Sequence, residues 1–171
     1  MTVTRVLAEQ HRAIAHLFAA LSCQMDREGR ERLSSRLAEE LIAHMAVEAA
    51  VFVPAVEQYI GEQPPDLHAA VRLELRRLLE TDPGDPSFPL HVQAARMRFD
   101  EHVREEEGVL FPWLERFVPP AELDALAALL SKSRPPVWIV MTEGRVLEED
   151  DAIGAGLCVH MPGVASDEAA R

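Results

Sequence analysis

The sequence predicts an all-α protein: an up-down-up-down four-helix bundle with a short fifth helix and a poorly structured C-terminal tail. Three observations point there. Four stretches repeat apolar residues at intervals of three and four, the period of a helix face, while no stretch of comparable length alternates as a strand would. Short segments of turn chemistry separate them, which makes sequential helices antiparallel neighbours. With 171 residues, 48% of them hydrophobic, one sizeable core fits better than two small ones. Residues 1–133 are expected to form the bundle domain, and 134–171 a C-terminal extension that is partly disordered or docked on it.

The first helix is expected over about Thr4 to Leu21, with the stripe Leu7, His11, Ile14, Phe18, Leu21. Gly29 reads as part of the following turn. The second runs from about Glu31 to Tyr59 with Leu33, Leu37, Leu41, His44, Glu48 and Val51. The segment Gly61-Glu62-Gln63-Pro64-Pro65 ends it, and Asp66 is an N-cap for a third helix carrying His68, Val71, Leu75 and Leu78. After Thr81-Asp82-Pro83-Gly84-Asp85-Pro86, a fourth helix carries Ala95, Phe99, His102, Glu106, Val109 and Trp113. A fifth, over roughly Pro120 to Ser131, caps the bundle through Leu123, Leu126 and Leu130. The tail from Val137 holds a small apolar run, Val137-Trp138-Ile139-Val140-Met141, and a Cys158/His160 pair too sparse to read as a metal site.

Composition removes several function classes. The formal net charge of -12 repels a phosphate backbone and disfavours nucleic-acid binding. No run of eighteen apolar residues is present, and MTVTRVLAEQHR is too polar for a secretory leader, so no membrane association and a cytoplasmic location are expected. Cys23 and Cys158 form no thiolate pair and read as reduced thiols.

An internal repeat organises the polar residues on the apolar stripes. An offset of 58 residues aligns His44-x3-Glu48-x2-Val51-x2-Pro54-x2-Glu57 with His102-x3-Glu106-x2-Val109-x2-Pro112-x2-Glu115. His11 precedes His44 by 33 residues and His68 precedes His102 by 34. The chain therefore reads as two helical hairpins of one plan. In each hairpin the histidines are nearly equidistant from the turn, near Arg27–Glu28 and Asp85, so helices rising about 1.5 Å per residue bring both to one level. The link from Glu48 to His68 is less symmetric and requires residues 61–66 to run extended.

Residues four apart share a helix face, so each His-x3-Glu pair aims an imidazole and a carboxylate at one place. A carboxylate buried in a helix core without a partner costs several kcal/mol. Two of them at matched depth call for a compensating cation. Nitrogen and oxygen ligands without thiolate suit iron, manganese, zinc or copper. Six protein ligands exceed one tetrahedral zinc but suit two carboxylate-bridged metals, of which two irons is the leading reading. The candidate ligands are His11, His44, Glu48, His68, His102 and Glu106. His16 and His91 have no counterpart in the other hairpin. A ferritin-like Glu-x-x-His plan is disfavoured, because Ala8, Leu41, Pro65 and Phe99 occupy the positions three before the histidines. Pro54 and Pro112, six residues past each glutamate, crowd Ala50 and Gly108 and are expected to kink or end their helices just beyond the site.

These residues resemble the hemerythrin-like, or HHE cation-binding, domains over roughly residues 4 to 118. The carriers are Glu9-Gln10-His11-Arg12-x-Ile14, His44-x3-Glu48 with Val51-Phe52-Val53-Pro54, His68, and His102-x3-Glu106-Glu107-Gly108-Val109-Leu110-Phe111-Pro112. The resemblance implies two iron ions bridged by Glu48 and Glu106 and by an oxo, hydroxo or water ligand, with the four histidines completing the protein coordination. The chain departs from the oxygen carriers of that family. Arg72 stands where they place a second third-helix histidine, and three residues separate His102 from its carboxylate where the carriers have a longer gap ending in aspartate.

A poorer histidine set leaves more open coordination positions. The leading expectation is a di-iron protein that binds or senses O2, NO or redox state, its partner a small diatomic ligand or peroxide. The alternatives are a di-iron enzyme decomposing hydrogen peroxide and an iron-handling protein. No protein partner is legible. Tyr59 lies too far past Glu48 to serve as an acid; Arg72 and Glu107 are the nearest candidates for tuning the ligands from outside, with exposed charge the preferred reading of each.

Overall fold

The computed structural model describes residues 1–61, 66 and 68–133. The expected C-terminal extension, with its apolar run and the Cys158/His160 pair, lies outside the described residues, as do residues 62–65 of the expected extended link and residue 67 after it. The described part is helical, with no strand. It contains α1 (Val3–Cys23), α2 (Arg27–Val47), α3 (Val53–Ile60), α4 (His68–Glu80), α5 (Phe88–Glu105), α6 (Phe111–Phe117) and α7 (Pro120–Ser133). A single π-helical turn joins α2 to α3 (Glu48–Phe52), and another joins α5 to α6 (Glu106–Leu110).

The ring closes as expected: α1 packs on α2 and α5, and α4 on α2 and α5. The short fifth helix of the sequence reading is α7, which lies against α1 and the first π-turn. Leu123, Ala127 and Leu130 form its buried face. No described helix is long and apolar enough to cross a membrane.

The turn after α1 differs from expectation. It occupies Gln24 to Asp26, and α2 begins at Arg27 rather than near Glu31. The Asp26 carboxylate accepts the Gly29 N–H at 2.7 Å, an N-cap bond that starts the helix early. Gly29 is buried inside that first turn, where a Cβ would come within 2.1 Å of Gln24 Nε2. It permits a close approach rather than a reversal. Gly61, with φ 80°, does close α3 in the left-handed region. Asp66 accepts the His68 N–H at 3.1 Å as a cap should.

The expected proline kinks are replaced by the π-turns. In each, the residue that closes the wider ring bonds back five positions to a glutamate carbonyl: Val53 N–H to Glu48 and Phe111 N–H to Glu106. Pro54 and Pro112 then fall in the first turn of the next helix, a position that tolerates a missing N–H. The inserted residue also rotates the buried face. Val109 is more than half exposed and Trp113 half-buried, whereas Phe111 and Leu114 are buried. The fourth stripe predicted from a uniform period is therefore displaced past Glu106.

Two apolar clusters result. One gathers Ile14, Phe18, Leu37, Leu41, Leu75, Leu78, Phe88 and Phe99, and the other Val3, Leu7, Val47, Phe52, Val56, Phe111, Leu114 and Leu123. Between them along the chain fall His11, His44 with Glu48, and His102 with Glu106. The polar residues occupy a layer with a hydrophobic plug on each side.

Candidate metal centre

Four bundle helices and two π-turns bring together all six residues singled out in the sequence. His11 comes from α1, His44 from α2, His68 from the first turn of α4 and His102 from α5, while Glu48 and Glu106 each open a π-turn. Every one is buried. His68 is the least enclosed, its side chain 11% exposed against 1–2% for the other three histidines.

The inward-facing atoms are close. His68 Nε2 lies 2.7 Å from Glu48 Oε2, and His44 Nε2 lies 3.3 Å from both Glu48 Oε1 and His102 Nε2. His11 Nε2 is 3.4 Å from Glu106 Oε2, and His102 Nε2 is 3.6 Å from the same oxygen. Two overlapping groups, His11/His44/Glu48/His102 and Glu48/His68/His102/Glu106, each place their ligand atoms within 4.8 Å of one another. His16 is exposed and His91 half-buried, and neither joins these groups.

Electrostatics show what the cluster costs as a metal-free assembly. Burial, then the neighbouring Glu106 carboxylate, pushes Glu48 well above the usual carboxylate range. Burial holds His44 well below the usual imidazole value, helped by the other three histidines. Burial likewise lowers His68, and brings His102 down to about 4 against the pull of Glu106. Burial alone would raise Glu106, but the neighbouring imidazoles of His11 and His102 outweigh it and lower its pKa. Neutral imidazoles beside ionisable carboxylates are the forms a cation binds.

Four buried side-chain atoms have no hydrogen-bond partner among the described residues: His11 Nε2, Glu48 Oε1, Glu106 Oε2 and His102 Nδ1. Native interiors leave few such atoms unsatisfied. Three of these four belong to the ligand groups' inward faces, and a cation would satisfy them. The donor set, imidazole nitrogen plus carboxylate oxygen, fits iron.

Two residues outside the six support them. Glu107, weighed in the sequence as an outer tuning residue with exposed charge preferred, is exposed and also accepts from His11 Nδ1 at 2.8 Å, and Gln10 Oε1, which the sequence did not single out for this role, accepts from His44 Nδ1 at 3.0 Å. The only signals in the sequence were adjacency to His11 and to Glu106. Arg72 is exposed and paired with Asp66, as expected of a surface charge. Tyr59 is away from the centre, hydrogen-bonded to Glu122, which raises its pKa.

A family model described as the hemerythrin HHE cation-binding domain matches residues 2–114. The chain belongs to that family. HHE domains bind metal cations, typically iron, and the His/Glu clusters of this member could hold them. The match stops before α7. The fold is similar to the crystal structure of a hemerythrin HHE cation-binding domain-containing protein from Mycobacterium kansasii. That structure aligns with a TM-score of 0.65 and 26% identity, over 78% of this chain and 88% of that chain. Among curated proteins no significant sequence match is found.

Proposed function

We propose that this HHE domain is a di-iron protein that binds or senses a small diatomic ligand, O2 or NO, or the redox state that such ligands set. His11, His44, Glu48, His68, His102 and Glu106 would hold two iron ions, with Glu48 and Glu106 bridging them. Iron in that setting would supply reversible ligand binding and one-electron redox chemistry. The observation carrying the reading is the layer of unpartnered inward-facing atoms sealed between apolar clusters.

The protein's own residues limit what can react there. Phe99 and Phe111 pack against the His11 ring, at 6.0 and 5.9 Å between centroids, and exclude water from that side. The crevice reaching His44, lined by Gln10, Ile14, Glu40, Ala43 and Val47, measures about 10 Å³. That is at most the space of one water molecule, too small for an organic substrate by that route. Among the described residues, the side-chain polar partners of the six are one another, Gln10 and Glu107. With no tyrosine among these partners to act as a general acid, binding is favoured over turnover.

Metal analysis of the purified protein, with optical spectra under argon, O2 and NO, tests the proposal. Close to two irons per chain and reversible spectral changes are expected. Failure to take up iron after anaerobic reconstitution would sink the di-iron claim, and rapid multiple-turnover O2 release from peroxide would replace the sensing role with an enzymatic one.

A further inference from the structure

The ring nitrogens facing away from the centre are treated unequally. His11 Nδ1 donates to the Glu107 carboxylate at 2.8 Å, and His44 Nδ1 to the Gln10 amide oxygen at 3.0 Å. A carboxylate and an amide oxygen are acceptors, so each bond places a hydrogen on Nδ1 and leaves Nε2 as the nitrogen facing the centre. Among the described residues His102 Nδ1 is buried without a partner, and the His68 ring bonds through its inward Nε2, to Glu48. The two ligand groups divide along the same line. The group His11/His44/Glu48/His102 contains both braced rings, and the group Glu48/His68/His102/Glu106 contains neither.

We propose that Glu107 and Gln10 are positioning residues, and that by bracing His11 and His44 they make that half of the centre the first to take a cation and the half holding His68 and Glu106 the second. The inference rests on the di-iron reading above. A ring already fixed in its ligating tautomer has nothing to reorganise when the cation arrives, whereas an unbraced ring must select tautomer and orientation at that moment. Outer partners of ligating histidines are worth roughly 10- to 100-fold in metal affinity. The two braces also differ. A carboxylate acceptor makes the imidazole a stronger donor than an amide does, so the effect of Glu107 exceeds that of Gln10. Both are placed by chain adjacency: Gln10 immediately precedes His11 on α1, and Glu107 immediately follows Glu106 in the second π-turn. Each dipeptide thus supplies one candidate ligand and one brace for a ligand on another helix.

The test titrates the metal-free full chain with ferrous iron under anaerobic conditions and measures free iron after ultrafiltration. Histidine tautomers are read beforehand by proton–nitrogen NMR without metal. Wild type should load in two resolved steps, with His11 and His44 in the Nδ1–H form. Glu107→Ala should weaken the first step by roughly 10- to 100-fold and release His11 from that tautomer. Glu107→Gln, which keeps an acceptor oxygen, should retain the tautomer and an intermediate affinity. Gln10→Leu should release His44 with a smaller loss, and Glu105→Ala, at an exposed neighbour, should change nothing. Equal first-step affinity in wild type and Glu107→Ala, or His11 keeping its Nδ1–H form without Glu107, would overturn the inference. A wild-type chain that takes up no iron would instead overturn the di-iron reading and the loading order with it, while the tautomers still decide the positioning role.

Discussion

The neutrality of the buried histidines can be tested without any metal, through His102. Its pKa lies at about 4 against an ordinary 6.5, with burial the principal cause and the nearby Glu106 opposing it. The side chain is only 1% exposed, so solvent does not screen the effect away. Because the folded value is below the unfolded one, the contribution of the neutral ring to stability is full above pH 6.5 and is lost as pH falls from 6.5 towards about 4. At about 1.4 kcal/mol per pH unit, roughly 2 kcal/mol has gone by about pH 5. His44 and His68 add losses of the same sign, while Glu48, raised in the folded state, acts oppositely over the same window. Comparison with His102→Gln, which keeps a neutral polar side chain that cannot titrate, isolates the one ring. Urea unfolding of both metal-free proteins at about pH 7 and pH 5 should show wild type losing roughly 2 kcal/mol more than the variant. An unchanged gap between the two proteins would refute the argument that burial holds the ring in its ligating form.

His44→Ala and His102→Ala should abolish iron loading, while His16→Ala and His91→Ala should leave it intact; equal losses measured by metal analysis would break the assignment of ligands. Glu48→Gln should raise the metal-free melting temperature while preventing loading, because it removes a buried carboxylate that only a cation or a proton can compensate. A lower melting temperature in calorimetry would contradict that. The rotated face past the second π-turn predicts that Val109→Asp unfolds no more readily than wild type, whereas Phe111→Asp loses several kcal/mol in chemical denaturation. The reverse order would restore an uninterrupted helix there.

The bundle and the six central residues were legible because two kinds of period coincide in this sequence. The helical period set which residues share a face, and the 58-residue repeat set which faces share a level. Buried histidines stand out against an apolar stripe, so His11, His44, His68 and His102 declared themselves. What escaped depends on short-range competition or on contacts between helices. Gly29 resembles a helix stop, yet the Asp26 side chain captures its N–H and the helix has already begun. Glu107 carries the charge of a surface residue, and only the packing of the second π-turn against α1 brings it to His11. Pro54 and Pro112 signalled that the helix geometry changes, but a kink and a π-turn leave the same trace in a sequence.

The two π-turns tie the break in the helices to the chemistry of the centre. An uninterrupted α-helix through Pro54 would set the proline ring against the Ala50 carbonyl, and through Pro112 against that of Gly108. Widening one turn removes that conflict, because the ring closes at the residue before each proline. The first residue of each widened turn is the glutamate whose side chain enters the centre, so the same local device turns the backbone and delivers the candidate bridging carboxylate. Its duplication in both hairpins accounts for the repeat extending beyond the His-x3-Glu pair to the proline. The second copy also carries Glu107, which braces His11, while Ala49 holds the matching place in the first. The repeat therefore supplies two like carboxylates but only one charged brace, and the pseudo-symmetric centre is electronically lopsided.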